Sequence, residues 1–60
     1  MRKRLIATPL KAGWVLDLVY TRGYTQSHAA VLVELNVGTV CHIVHGRRFP
    51  GAYPIPFPGG

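Results

Sequence analysis

A chain of 60 residues with a formal net charge of +5, a pI near 10.2 and a single cysteine is narrowly bounded before any motif is considered. One domain at most fits this length, and such a chain buries only about 60% of the surface its unfolded form exposes, so self-association or a larger complex is an expected source of extra stability. An internal disulfide is excluded, and an apolar share of 48% sets the chain apart from a disordered polycation.

Charge is unevenly placed. Arg2, Lys3 and Arg4 open the chain, Arg47 and Arg48 form a second cluster, and Lys11 and Arg22 stand alone against only Asp17 and Glu34. A field of that sign favours nucleic acid, an anionic membrane surface or an acidic protein face. No apolar run approaches the roughly 20 residues of a membrane helix. The basic start imitates a signal peptide, but Pro9, Lys11 and Asp17 interrupt its apolar stretch, so the expected location is the cytoplasm.

In chain order, turn signals fall at 9–13, 21–23, 36–39 and 46–51, separating segments of strand length at 4–8, 14–20, 28–35 and 39–45. The second segment alternates, with Trp14, Leu16, Leu18 and Tyr20 on one face and Val15, Asp17 and Val19 on the other. A lone carboxylate there calls for a solvated face or an ion pair with an arginine such as Arg22, and Gly23 supplies the positive φ for a turn. The third segment is ambiguous. Ser27 is a good N-cap, Ala29 and Ala30 favour helix and Gly38 suits a C-terminal stop, whereas Val31 and Val33 are β-branched. The fourth segment, around Cys41, reads as a strand paired with the third.

The tail is the most distinctive stretch. Proline stands at every second position, Pro54, Pro56 and Pro58, with Tyr53, Ile55 and Phe57 between. Proline fixes φ and lacks an N–H, so the tail runs extended, keeps donors on one side only and presents three large apolar side chains for docking. The expected fold is all-β: a small antiparallel meander or SH3- or OB-sized barrel of about four strands with an extended Pro-rich C-terminal segment. The alternative is α+β with a helix at 28–36. Residues 1–51 form the domain with its basic arm and residues 52–60 the docking tail.

Catalytic and metal chemistry find little support. Cys41, His42 and His45 form a Cys-His-x-x-His cluster with His28 elsewhere, but on a strand His42 points away from the other two, so no metal site and no cofactor are expected. No nucleophile-elbow or phosphate-cradle pattern is present, and the chain is too short to wall a substrate pocket easily; an enzyme is not expected. Two binding functions remain. In the first, a non-enzymatic protein attaches to nucleic acid or a nucleoprotein assembly through Arg2, Lys3, Arg4, Arg22, Arg47 and Arg48, with Tyr24 and Phe49 available for stacking. In the second, an inhibitor or accessory subunit of phage or mobile-element type meets an acidic protein surface, and Tyr53, Ile55 and Phe57 anchor in the partner.

Overall fold

Thr8-Pro9 opens the first helix rather than a loop. The Thr8 Oγ1 accepts the Lys11 backbone N–H at 3.2 Å, and proline takes the first helical position, where its missing N–H costs nothing. The computed structural model describes residues 6–59. Helix α1 spans Pro9–Leu16 and widens into a π-helical stretch at Asp17–Thr21, where the Arg22 N–H reaches back to the Asp17 carbonyl at 3.0 Å. Helix α2 spans Gln26–Val33 and α3 spans Val37–Val44.

All three helices end through a left-handed residue. Gly23 (φ 74°) stops the π stretch, with the Tyr24 N–H donating to the Leu18 carbonyl at 2.9 Å. Glu34 (φ 58°) stops α2, where Leu35 N–H donates to Ala30 O at 2.9 Å and Glu34 N–H to Val31 O at 3.3 Å. Gly46 (φ 76°) stops α3 with the same pair of bonds, from Arg47 to His42 at 2.8 Å and from Gly46 to Ile43 at 3.1 Å. The last two are Schellman closures, which satisfy carbonyls that a helix terminus would otherwise leave without donors.

After Gly23 and after Glu34 the next helix starts three residues on, at Gln26 and at Val37. Thr25 caps α2, its Oγ1 accepting the His28 N–H at 3.1 Å. Thr25→Ala is therefore expected to lower unfolding stability by about 1 kcal/mol, measured by urea denaturation. A change below about 0.3 kcal/mol would mean that the cap contributes nothing.

Helices of eight residues are too short to persist alone, so burial must hold them. Ala12, Val15 and Leu18 from the first helix, Ala29, Ala30 and Val33 from α2, Leu35 from the α2–α3 turn, and Val40 and Ile43 from α3 form one core. Trp14, Leu16, Phe49, Ala52 and Phe57 pack around it. The Tyr20 hydroxyl joins the π stretch to the end of α3 by donating to the Val44 carbonyl at 3.2 Å.

These helices correct the expected architecture. Among the described residues there is no strand, so neither the all-β meander or barrel nor the α+β alternative is the fold. Residues 14–20 and 39–45 are mainly helical, and the region read as ambiguous is helix, capped by Thr25 and Glu34 rather than Ser27 and Gly38. Residues 4 and 5 lie outside the described residues, and 6–8 lead into the cap. The alternating face of 14–20 does not exist as one surface: Val15 and Leu18 are buried while Tyr20 is exposed. The physical reason is that a left-handed residue, Gly23 or Glu34, ends one helix and a Thr or Asn two positions on, Thr25 or Asn36, starts the next. That punctuation occurs at the same spacing as hairpin turns. Burial of Val15, Val33, Val40 and Ile43 then outweighs their β-branched reluctance to be helical.

Candidate functional site

The tail returns along α1 and builds a concave feature that several of the candidate residues share. Pro54, Pro56 and Pro58 keep it extended, so the N–H groups of the residues between them face inward. Ile55 N–H donates to the Gly13 carbonyl at 3.0 Å, and Phe57 N–H donates to Asp17 Oδ2 at 3.1 Å. The one-sided donor pattern read from the sequence is thus used, against a helix instead of a sheet.

Two side-chain features seat this strap. At Gly13 the missing side chain is a notch: a Cβ there would lie 2.5 Å from Ile55 Cγ1 and Cδ1 and 2.9 Å from Ile55 Cβ. Further along, Phe57 meets Trp14 edge to face, with ring centroids 5.4 Å apart and planes at 87°.

Asp17 and Arg22 then lock the end. Asp17 is 5% exposed, and its Oδ2 receives both Phe57 N–H and Arg22 Nε, the latter at 3.1 Å. The remaining guanidinium nitrogens donate to Phe57 O at 2.8 Å and Gly59 O at 3.0 Å. The π-helical widening carries Asp17 and Arg22 on the same turn through the Arg22 N–H bond to Asp17 O. The ion pair anticipated for Asp17 is present, and it serves the tail.

Between the strap and the start of α1 lies an apolar groove of about 460 Å3, lined by Pro9, Leu10, Phe49, Gly51, Ala52, Tyr53 and Ile55. That volume falls in the range of about 300–1,000 Å3 usual for binding sites. Phe49 forms part of its wall with φ 51°, a conformation that costs a bulky side chain energy and is held by packing on the core and by the Ala52 N–H bond to Phe49 O at 2.9 Å. The Arg48 guanidinium carbon stands 5.5 Å from the Phe49 ring centroid, a cation–π contact that leaves a positive charge beside the groove. Among the described residues no acidic side chain lines it.

The residues named from the sequence separate in space and in use. Arg2, Lys3 and Arg4 lie outside the described residues. Arg22 is engaged by Asp17 and the strap, and Tyr24 is stacked on His28 with centroids 4.7 Å apart. Arg47 and Arg48 are exposed next to Phe49. Ile55 and Phe57 are half-buried on this chain's own α1, whereas Tyr53, 71% exposed, remains available at the groove. Sequence reasoning missed Pro9, Leu10, Gly51 and Ala52. The Thr8-Pro9 helix start was the signal that could have placed the first two.

On α3, Cys41 and His45 sit one turn apart with Sγ and Nδ1 at 3.4 Å. The same Nδ1 lies 2.8 Å from the Cys41 carbonyl oxygen, a contact that puts a proton on Nδ1. In that tautomer the nitrogen facing the thiol is not free to act as its base. Among the described residues no group of three His, Cys, Asp or Glu side chains is arranged to hold a metal ion, and no single helix is long and apolar enough to cross a membrane. No family model, curated protein or solved structure matches the chain.

Proposed function

We propose that this protein is a non-enzymatic binding factor whose partner is an acidic protein surface, engaged through the loop of Arg47, Arg48 and Phe49 and the groove beside it. The observation that carries this reading is the pairing of an apolar groove with an adjoining cation and no acidic lining residue. Protein interfaces bury apolar anchors at the centre and place Arg around them. Nucleic acid is the weaker reading of the same charges. It needs several free cations interleaved with stacking rings, and here Arg22 and Tyr24 are engaged within the fold.

Seven Lys and Arg side chains stand against only Asp17 and Glu34 in the whole chain, and Asp17 is paired with Arg22. Such an imbalance speeds encounter with an acidic partner and makes binding sensitive to salt. Affinity capture from lysate at two salt concentrations, with and without nuclease, distinguishes the partners. The expected result is a protein retained after nuclease, weakened at high salt and lost with the double variant Arg47→Glu/Arg48→Glu. Retention that disappears with nuclease assigns the basic face to nucleic acid and overturns the proposal.

A further inference from the structure

Resting on that reading, we infer that the groove between the start of α1 and the strap is the specific docking site, and that its occupant is an extended acidic peptide segment carrying a bulky apolar side chain. The groove's chemistry divides the ligand into two parts. Its walls, from Pro9 and Leu10 on one side and Phe49, Ala52, Tyr53 and Ile55 on the other, present apolar side chains and one phenol, and most of the lining surface is apolar, so the inserted group is apolar. Leu10 is 48% exposed and Tyr53 71% exposed, although both line a concavity, so both have area left to bury on a partner.

Charge selects the rest of the ligand. Arg48 stands over Phe49 at the groove wall, Arg47 precedes it, and Lys11 follows Leu10 in α1. A second copy of this chain would bring its own excess of cations to that rim and is disfavoured. An oligonucleotide satisfies the cations and leaves the carbon walls uncovered. An acidic segment with an apolar anchor satisfies both.

Other exposed apolar positions lack this combination. Val31, 75% exposed on α2, is not among the residues that line the groove, and neither are Cys41 and His45. Phe49 adds an independent indication. Its left-handed backbone is retained at an energetic cost, and it positions the ring both in the groove wall and under the Arg48 guanidinium.

The test uses the full chain and a fluorescein-labelled ten-residue peptide of Asp and Glu surrounding a central Phe-Leu pair, read by fluorescence anisotropy at low salt. Three further probes accompany it: the same peptide with Ser-Ser at its centre, the same peptide with Lys in place of every acid, and a single-stranded oligonucleotide of equal charge. The acidic Phe-Leu peptide is expected to bind at least ten-fold more tightly than each of the others. Leu10→Glu is expected to weaken it at least ten-fold. Glutamate in the first turn of a helix is compatible with folding. Circular dichroism verifies that, and Val31→Glu, of equal charge change, leaves affinity within two-fold.

Equal binding of the Ser-Ser peptide, tighter binding of the oligonucleotide, or an affinity indifferent to Leu10→Glu overturns the inference. So does self-association that Leu10→Glu abolishes while the peptide fails to bind. Nuclease-resistant capture that depends on Arg47 and Arg48 but tolerates Leu10→Glu would leave the acidic-partner reading standing and remove the groove alone.

Discussion

Replacing Gly13 with alanine is expected to destabilise the protein by about 1–2 kcal/mol, although the same change in an ordinary helix interior is stabilising by about 1 kcal/mol. The difference arises because the new Cβ would lie within 2.5 Å of Ile55 Cγ1 and Cδ1 and 2.9 Å of its Cβ. Overpacking a close contact costs about 1–3 kcal/mol, and here the yielding element is the strap, whose Ile55 and Phe57 are only half-buried. Urea denaturation supplies the magnitude. Detachment itself is read from Trp14, whose emission should shift to the red as Phe57 leaves its ring. Truncating the opposing side chain in Gly13→Ala/Ile55→Ala is expected to recover part of the helix-propensity gain and to show non-additivity of at least 0.5 kcal/mol. If Gly13→Ala stabilises the protein by the usual amount with Trp14 unchanged, Ile55 is not seated on Gly13.

Asp17→Ala is expected to cost more, about 3 kcal/mol. The carboxylate is buried and one oxygen receives both the Arg22 guanidinium and the Phe57 N–H, so removing it strips two partners at once. Breaking a buried pair costs about 3–5 kcal/mol, and the lower end applies because the Arg22 side chain is 31% exposed and recovers hydration. A domain of this size has roughly 3–9 kcal/mol in total, so a large part of its stability depends on one side chain. Asp17→Asn keeps an acceptor for Phe57 and is expected to lose about half as much. Thermal unfolding of both variants, with amide exchange at Phe57 and Ile55, provides the check. Equal losses for alanine and asparagine would show the ion pair, and not the strap's N–H bond, to be the main contribution. A loss under about 1 kcal/mol for Asp17→Ala would show that the lock holds little.

The two variants also bear on binding, because Tyr53 and Ile55 of the strap form one wall of the groove. A strap loosened at Gly13 or Asp17 widens that wall. The groove is therefore not an independent surface patch; its shape depends on contacts made on its far side, along α1.

How far the sequence could be read varies from segment to segment. Pro54, Pro56 and Pro58 required an extended tail with donors on one side, since proline leaves no choice of φ and no N–H, and the Ile55 and Phe57 bonds are the outcome. Asp17 among apolar neighbours called for either a solvated face or a cation such as Arg22, because a bare buried carboxylate is too costly, and the ion pair with Arg22 is the outcome. Gly23 had to take a positive φ, and it does. Local chemistry of this kind depends on single residues and survives any change of fold.

The secondary structure was not legible in the same way. Gly23, Gly46 and the Thr and Asn residues that follow helix ends mark breaks in the chain, but a break does not say whether helix or strand lies between two of them. The intervening segments are rich in valine, whose local preference is for strand, and eight residues are too few to show a clear helical period. Only burial decided the matter, by gathering Val15, Leu18, Val33, Val40 and Ile43 into one core. The groove was hidden for the same reason: Pro9 and Leu10 meet Phe49, Tyr53 and Ile55 only once the strap lies on α1. What the sequence determined alone was the conformation of its prolines and of Gly23 and the need of Asp17 for water or a cation, because those follow from covalent geometry and solvation at one residue. What the tertiary structure decided was the helices and the groove, because both depend on which distant side chains leave water together.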